Sequence, residues 1–238
     1  MNIEPNSPLR ARYGCGTAVT GRGWHSPHEM LARHRHAQAF AAIVLSGTYV
    51  EAGDSGRHQV GPGNVIFHDP YESHLDRFGA TRVEVLSLPF YRKGDWPIVA
   101  AVKDPDAIAR LAERDMREAA AALSDAVVEL PATAKDWPDL LAAELLRNPD
   151  INLARWSADA GLHPGSVSRG FRQQFGITPA QFRSIARTRR AVRHIADLSL
   201  SHLAIASGFA DQAHMSRAVK RLTGLSPGRL REQVIEAG

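Results

Sequence analysis

The chain has 238 residues, of which 44% are hydrophobic and 23% are charged, and this composition excludes a disordered or collagen-like protein. No apolar run approaches the roughly 18 residues of a membrane-spanning helix, and the residues after Met1 lack the basic and apolar segments of a secretory signal. Cys15 is the only cysteine, which excludes an intrachain disulfide and fits a reducing cytoplasm.

Charge divides the chain into two parts. Residues 149–238 contain 13 Lys and Arg against 6 Asp and Glu, a net charge of +7, whereas residues 1–148 carry a net charge of −3. A basic module of this kind is typical of a protein that binds a polyanion. Charge by itself also allows a solvated basic face without a partner.

Short apolar segments separated by turn residues fill the first part of the chain. Gly and Pro clusters at residues 53–56 and 61–63 mark turns. The segments between them are apolar and partly β-branched, and they predict strands at residues 40–51, 58–60, 65–67 and 82–88. Short strands at this spacing indicate an all-β barrel or sandwich.

Seven of the 11 histidines lie between residues 25 and 74. His34 and His36 are two residues apart, so on a strand their side chains lie on the same face. The interpretation we favour is a pocket for a small organic ligand, because apolar walls with a few polar groups suit such ligands. Its predicted lining is His34, His36, Gln38, Phe40 and His74. The alternatives are a divalent metal held by His34, His36 and His74, and structural packing.

The same stretch resembles the cupin fold family. His34-Arg35-His36 resembles the start of the first cupin motif, and residues 61–74, from Gly-Pro-Gly through Pro70 to His74, resemble the second. The sequence departs from the family at Phe40-Ala41, where cupins carry a carboxylate ligand. The resemblance implies a ligand-binding β-barrel, and the departure argues against a metal-dependent enzyme.

Helical patterns follow the strands. Asp104-Pro105-Asp106 predicts the start of a helix, whose apolar stripe is interrupted at Asp115. Trp137-Pro138 predicts the start of another helix, which ends at Asn148. We expect a helical connector that either forms a dimer interface or packs on its neighbouring domains.

The last third of the chain contains an internal repeat. Residues 171–179 match residues 219–227 at an offset of 48, and Ser168-Arg169 matches Ser216-Arg217 at the same offset. Each copy has the pattern of a short amphipathic helix, a turn with glycine and a second helix, which predicts two helix-turn-helix units. Residues 179–198 between the copies predict one long helix that holds the units at a fixed separation.

This part resembles the AraC/XylS family of bacterial transcriptional regulators from about residue 151 to 232. The most specific match is ASGFADQAHMSR at residues 206–217, followed by KRLTGLSP at residues 220–227 and by Arg231. The resemblance implies that the two units bind successive major-groove segments. It also implies a sensing barrel in the first part, since many members carry one.

Polar residues on the second helix of each unit are the predicted DNA contacts. Arginine pairs with guanine and glutamine with adenine, so Arg169, Arg217 and Gln212 are predicted to read bases. Arg172, Lys220 and the arginines of the linking helix are predicted to meet phosphates or solvent. The complete predicted set is Ser166, Ser168, Arg169, Arg172, Gln212, His214, Ser216, Arg217 and Lys220.

The sequence therefore predicts a multidomain protein of α and β structure. Residues 1–100 are expected to form a cupin-like, effector-sensing β-barrel, residues 101–148 a helical connector, and residues 149–238 an all-α tandem helix-turn-helix domain. The predicted function is a cytoplasmic, DNA-binding transcriptional regulator without catalytic activity or cofactor. Its expected partners are double-stranded DNA, a small-molecule effector, RNA polymerase and a second copy of the chain. The alternatives are a metal-dependent cupin enzyme fused to a DNA-binding domain, and a constitutive DNA-binding protein whose barrel only dimerises.

Overall fold

The computed structural model describes residues 15–16, 20–90, 96–131 and 135–237. The N-terminal residues considered above as a secretory signal lie outside these ranges. Strands make up the first part of the described chain and helices most of the rest, which confirms the predicted fold class. None of the helices in these ranges combines the length and apolarity that crossing a bilayer requires.

The strands described form two sheets. They are β1 Cys15–Gly16, β2 Gly21–His25, β3 Met30–His36, β4 Phe40–Ser46, β5 Tyr49–Gly53, β6 Gly56–Val60, β7 Asn64–His68, β8 Ser73–Phe78, β9 Val83–Pro89, β10 Val99–Val102 and β11 Val127–Glu129. Sheet A has the order β1-β3-β8-β5-β6, and sheet B has the order β11-β10-β7-β4-β9-β2. Neighbouring strands are antiparallel, except that β1 runs parallel to β3.

The two sheets face each other without closing into the predicted barrel. Phe40, Val44 and Ile66 of sheet B pack against Tyr49 and Phe78 of sheet A in one core. Two of the four edge strands, β1 and β11, have only two and three residues, so they offer few backbone groups for pairing the sheets edge to edge. The architecture of this β domain, which consists of β1 to β11, is therefore an open sandwich.

The predicted strand at residues 40–51 is divided in two. β4 ends at Ser46, β5 begins at Tyr49, and Gly47 between them has a φ of +73°. A Cβ at Gly47 would lie 2.5 Å from the carbonyl oxygen of Arg82. Glycine is required here because both the positive φ and the close approach of β9 exclude a side chain.

The helices begin close to the predicted positions. They are α1 Pro105–Ala112, α2 Met116–Ala126, α3 Trp137–Arg147, α4 Leu153–Asp159, α5 Pro164–Phe175, α6 Pro179–Arg193, α7 Leu200–Ala206, α8 Gln212–Thr223 and α9 Pro227–Ala237. The interruption predicted at Asp115 is confirmed, because its carboxylate caps α2 by accepting hydrogen bonds from the backbone of Arg117 and Glu118. The linking helix α6 is shorter than predicted and ends at Arg193.

Helices cover the outer faces of both sheets. Ile108 of α1 and Leu123 of α2 pack on Phe67 of sheet B. On the other side, Phe171 and Phe175 of α5 share a core with Ala52 and Leu75 of sheet A. The first helix-turn-helix unit, α4 and α5, is thus seated directly on sheet A.

The second helix-turn-helix unit, α7 and α8, has a core of its own. The helical spacing of the sequence predicts that Leu203, Ile205 and Ala206 face Met215 and Val219, and of these Leu203, Met215 and Val219 are buried in the core. The expectation that Ile205 and Ala206 face this core is wrong, since both are exposed, Ile205 at 73%. Ala204 is buried in their place, because α7 has only seven residues and turns one narrow face toward α8.

Helix α3 shares the hydrophobic core of the first unit. Leu141 and Leu145 of α3 are fully buried against Val167 and Phe171 of α5. This core therefore crosses the predicted domain boundary between residues 148 and 149.

Gly170 lies inside α5, where a glycine weakens the helix relative to alanine. A Cβ at this position would lie 2.6 Å from Cζ2 of Trp137 on α3. The absence of a side chain lets the indole ring pack on the helix backbone. Close packing between α3 and α5 thus accounts for a residue with poor helix propensity.

We expect Gly170→Ala to lower the free energy of unfolding by about 1–3 kcal/mol, because the added methyl overpacks the Trp137 contact. The gain of about 1 kcal/mol in helix propensity offsets only part of this loss. Chemical denaturation of the full chain measures the change. Gly228→Ala is the matched control, since a Cβ at Gly228 meets nothing within 4 Å and should leave stability equal or higher. Equal stability changes in the two variants would contradict the packing explanation.

Candidate functional site

Helix α5 presents one apolar and one polar face. His163 caps its N-terminus by accepting a hydrogen bond from the backbone of Gly165, and Pro164 occupies the first turn. Val167 and Phe171 are buried toward the core. The predicted DNA contacts lie on the opposite, exposed side: Ser166, Ser168, Arg169 and Arg172.

Helix α8 repeats this arrangement. Asp211 caps it by accepting a hydrogen bond of 2.6 Å from the backbone of His214. Met215 and Val219 are buried, and Gln212, Arg217 and Lys220 are exposed.

Two predicted contacts on α8 are less available than the others. His214 and Ser216 are half-buried, and the ring of His214 packs edge-on against Phe209 with a centroid distance of 5.2 Å. The structure therefore places His214 at the border of the exposed face rather than at its centre.

A basic cleft on α8 includes a residue that the sequence reasoning missed. Arg217, Lys220 and Arg221 line a cleft of about 430 Å³. Arg221 lies four residues after Arg217, and residues at this spacing share one side of a helix. The sequence therefore contained the signal needed to find Arg221. The equivalent position of the first unit, 48 residues earlier, is Gln173, which is also exposed.

The cations on the two exposed faces have no ion-pair partner in the part of the chain that the structure describes. Among the described residues, Arg169, Arg172, Arg217 and Lys220 form no ion pair. Other surface arginines do, as in the pair of Arg147 with Glu144. The exposed faces of α5 and α8 therefore carry positive charge that an external anion can meet.

Three arginines of the linking helix α6 have internal partners, which corrects the expectation that they meet phosphates or solvent. Arg183 donates to the carbonyl oxygen of Ile151 over 2.7 Å, and Arg187 pairs with Asp150. Arg189 points to the β domain. The reason is that α6 packs between other elements and is not a free spacer.

Arg189 enters a cluster of three carboxylates. Its guanidinium lies 3.1 Å from Asp69, 3.6 Å from Glu72 and 3.9 Å from Asp54, and its side chain is 13% exposed. Burial alone would raise the pKa of Glu72, but Arg189 and a hydrogen bond from Ser55 hold it below its ordinary value. Burial raises the pKa of Asp54, and Arg33 and Arg189 offset part of that rise.

Arginines of sheet A hold the C-terminal end of α5. Arg33 donates to the carbonyl oxygen of Phe175 over 2.9 Å, and Arg77 donates to that of Gln174 over 3.0 Å. The last carbonyls of a helix lack partners within it and carry partial negative charge, so two cations here satisfy both needs.

A third arginine of sheet A reaches both α3 and α5. Arg57 forms a two-pronged pair with Asp139, with distances of 2.8 and 2.9 Å, and donates to Gln174 over 2.7 Å. The β domain and the first helix-turn-helix unit are therefore joined by polar contacts as well as by the shared core.

The loop of residues 69–72, here called the acidic loop, contacts both α6 and the second unit. Tyr71 has a φ of +61°. This backbone conformation is unfavourable in free energy for any residue other than glycine. Its side chain packs against the core of the second unit. The acidic loop thus touches the helix-turn-helix part at two places, through Asp69 and Glu72 on Arg189 and through Tyr71.

Histidines gather between the sheets, next to the acidic loop. His34 and His36 from β3 meet His74 from β8, with ring centroids 4.3 and 5.4 Å from that of His74. His68 from β7 completes the group, and its ring centroid lies 4.6 Å from that of His74. This histidine cluster confirms that the rings of His34, His36 and His74 converge.

Glu51 lies in the same cluster, although the sequence reasoning did not select it. Its carboxylate is 3.1 Å from Nδ1 of His74 and 3.5 Å from Nε2 of His68, and the residue is 2% exposed. No local signal selected it, because strand alternation does not tell which face of β5 is buried.

Charge in the cluster is distributed unevenly. Burial and the neighbouring His74 lower the pKa of His34 to about 3, so this ring is neutral. Burial opposes a charge on His74 as well, but Glu51 and Asp76 outweigh it and raise its pKa to about 9. Burial also raises the pKa of Glu51, to about 7.

Two other residues of the predicted pocket differ in position. Phe40 stacks on His68 with a centroid distance of 4.2 Å and contacts the ring of His36. The expectation that Gln38 continues the same face is wrong, since Gln38 lies in the exposed turn between β3 and β4. β3 ends at His36, so the alternation of side chains along a strand no longer predicts which way residue 38 points.

Comparisons with known proteins identify relatives. Residues 156–233 match a family model described as a helix-turn-helix domain. The chain is 33% identical over 164 residues to the HTH-type transcriptional regulator GlxA of Rhizobium meliloti (strain 1021), and the alignment covers 67% of this chain and 46% of GlxA. The chain thus spans about half the length of this curated relative.

Solved structures are also similar at low sequence identity. The fatty-acid-bound ToxT from Vibrio cholerae strain SCE256 is 11% identical, with 89% of this chain and 94% of ToxT covered and a TM-score of 0.38. A probable AraC family transcriptional regulator from Rhodopseudomonas palustris CGA009 is 18% identical, with 39% of this chain and 92% of that chain covered and a TM-score of 0.37.

We expect Arg189→Met to lower the free energy of unfolding by about 3–5 kcal/mol, because it leaves the buried carboxylate of Glu72 without its cation. Thermal and denaturant unfolding of the full chain measure this change. Arg193→Met on the exposed end of the same helix is the control, with an expected change within about 0.5 kcal/mol. Equal stability of the two variants would show that Arg189 does not hold α6 to the β domain.

Proposed function

We propose that the chain is a sequence-specific, DNA-binding regulator of transcription of the AraC/XylS type, whose residues 156–233 match a helix-turn-helix domain. The observation that carries the proposal is the duplication of one surface. Helices α5 and α8 occupy equivalent positions in two units, and each presents exposed arginine and polar side chains without internal ion pairs.

Under this proposal α5 and α8 enter successive segments of the major groove. The capped N-terminal halves of both helices carry the base-reading groups, with Arg169 on α5 and Gln212 and Arg217 on α8. Arg172, Lys220 and Arg221 lie further along and meet phosphates, which fixes the orientation of each helix. Helix α6 sets the distance between the units.

We further propose that the β domain senses a ligand and transmits its presence to the DNA-binding part. His74 is two residues from Glu72, and Glu72 contacts Arg189 of α6. Ser73, which lies between Glu72 and His74, donates its backbone N–H to Asp54 over 2.9 Å. Asp54 in turn faces Arg189. A ligand that shifts the start of β8 therefore changes the partners of Arg189.

These contacts favour a regulator over a constitutive DNA-binding protein whose β domain only dimerises. A domain used for dimerisation alone has no need for ion pairs that reach α5 and α6. The proposal is of a binding protein, not an enzyme, that acts in the cytoplasm where bacterial DNA lies. It extends to contacts with RNA polymerase and with a second copy of the chain.

The proposal predicts different effects for two neighbouring residues of α8. Arg217→Ala should relax the base preference at one position of the bound sequence, at a cost of about 1–3 kcal/mol for the preferred base. Lys220→Ala should weaken binding to all sequences about equally. The measurement is selection from random duplex DNA with the full chain and with each variant, followed by sequencing.

The control for this selection is Arg147→Ala, because Arg147 lies on α3 and pairs with Glu144. It should leave both affinity and base preference unchanged. An unenriched pool after selection with the unaltered chain would contradict sequence-specific binding. A uniform loss for Arg217→Ala would reassign that residue to a phosphate contact.

Salt dependence provides a second, independent test. The affinity of the full chain for its selected duplex should fall steeply as salt rises, because each phosphate contact releases a counterion. Lys220→Ala should reduce the slope of log affinity against log salt by about 1. Titrations at several salt concentrations measure the slope, and a slope near zero would contradict phosphate contacts on α8.

A further inference from the structure

A cavity of about 370 Å³ lies between the β5–β6 hairpin of sheet A and helix α3. Residues 55–58 of the hairpin line one side, and Asp139, Ala143 and Leu146 of α3 line the other. This cavity, here called the α3 cavity, has the size of a pocket for a small organic ligand. It is separate from the histidine cluster, because its described lining includes none of the histidines of that cluster.

Most polar side chains around the α3 cavity already have partners. Both carboxylate oxygens of Asp139 accept hydrogen bonds from Arg57, over 2.9 and 2.8 Å, and Arg57 also donates to Gln174. The other internal pairs of the lining are Ser55 with Glu72 and Arg147 with Glu144. These groups satisfy each other within the chain, so they leave little to select the charge of a ligand.

His58 is different, because one of its ring nitrogens has no partner. Its Nε2 is buried and forms no hydrogen bond to any residue that the structure describes. A Cβ on Gly56, which also lines the cavity, would lie 3.3 Å from this nitrogen, so Nε2 lies at the cavity wall. Burial lowers the pKa of His58, so the ring is neutral and Nε2 can form one hydrogen bond. A ligand that supplies this bond removes the free-energy cost of a buried, unpaired polar atom.

Lys135 is the second lining residue that the chain leaves unsatisfied. Within the described part of the chain its ammonium forms no ion pair, although Arg57 and Arg147 in the same lining do. Lys135 is close enough to His58 to contribute to lowering the pKa of that ring. A carboxylate accepts hydrogen bonds both from an ammonium and from a neutral ring N–H, so one anionic group satisfies both residues.

Helix α3 gives the cavity an apolar side. Ala143 and Leu146 are three residues apart, so they lie on the same side of the helix. Leu146 also packs against the hydrophobic core of the first helix-turn-helix unit. An apolar wall next to a few unsatisfied polar groups is the usual composition of a small-molecule site.

We propose that the α3 cavity binds a small organic acid, with its carboxylate on Lys135 and His58 and its apolar body on Ala143 and Leu146. The acid is a monoanion, because Lys135 is the only cation of the described lining without an internal partner.

The position of the cavity connects this acid to the helix-turn-helix part. Arg57 lines the cavity and holds both α3 and α5, through Asp139 and Gln174. Ser55 lines it as well and donates to Glu72, the partner of Arg189 on α6. That the acid changes DNA binding rests on the proposed function, whereas binding of the acid itself does not.

The test titrates the full chain with 4-phenylbutyrate, and with 4-phenylbutanamide and 4-phenylbutylamine as neutral and cationic compounds with the same apolar body. NMR spectra of the imidazole nitrogens follow Nε2 of His58, whose signal should shift saturably with the acid. The amide and the amine should bind at least about 10-fold more weakly, because neither offers an anion to Lys135. Acid at ten times its Kd should raise the ratio of folded to unfolded chain about 10-fold in chemical denaturation.

Variants locate the acid in the α3 cavity. Ala143→Leu should abolish binding, because the larger side chain fills the cavity, and Ala143 is exposed, so the variant should fold. Lys135→Met should weaken binding about 10-fold through loss of the charged hydrogen bond. The matched controls are Ala121→Leu on the exposed side of α2 and Lys103→Met, also exposed, and both should bind the acid like the unaltered chain. His34→Gln should also leave binding unchanged, since His34 lies in the histidine cluster.

Three results would overturn the site: no saturable binding of the acid to the folded chain, equal binding of the three compounds, or binding that Ala143→Leu leaves unchanged. Loss of binding in His34→Gln alone would assign the acid to the histidine cluster instead. DNA affinity with and without the acid is a separate measurement. Unchanged DNA affinity would contradict the role of the acid as a signal, and no DNA binding under either condition would contradict the proposed function, while the titration of the acid stands by itself.

Discussion

The arrangement of the whole chain depends on one largely buried guanidinium. Arg189 of α6 lies among Asp54, Asp69 and Glu72 of the β domain, and burial of these carboxylates is tolerable only because Arg189, together with Arg33 at Asp54, offsets their charge. Helix α6 joins the two helix-turn-helix units, so this contact fixes both units relative to the sandwich. The apolar core shared by α5 and sheet A also stabilises this arrangement, but apolar contacts fix the relative orientation of the elements less strictly than ion pairs do.

One face of sheet A contacts the helix-turn-helix part, and the other face carries residues of the histidine cluster. Along β8, His74 and Asp76 point between the sheets, whereas Leu75 and Arg77 point to α5. Because side chains alternate along a strand, neighbouring residues of β8 contact α5 and the histidine cluster in turn. A displacement of β8 by a ligand acts on both faces at once, because a packed strand moves as a unit.

Local patterns were sufficient for the features that depend on neighbours in sequence. The repeat at an offset of 48 identified both helix-turn-helix units, because each unit's core is built from residues within a few turns of helix. The spacing of His34 and His36 was sufficient to place both rings on one face of β3. Strand alternation gave the wrong face for Gln38, because β3 has already ended there. The strand predicted across Gly47 is divided, because the chain turns where it packs against Arg82 and Val83, far away in sequence.

Local sequence patterns were enough to identify the type of each part: a β domain with converging histidines, and a basic, duplicated helix-turn-helix part whose exposed faces follow from helical periodicity. The contacts between distant groups depended on the packing of sheets and helices. This packing placed Glu51 behind His74, Arg189 among the carboxylates of the acidic loop, and Trp137 against Gly170. Each of these contacts joins residues more than 20 positions apart, and their pairing depends on how sheets and helices pack. No local period of the sequence encodes that packing.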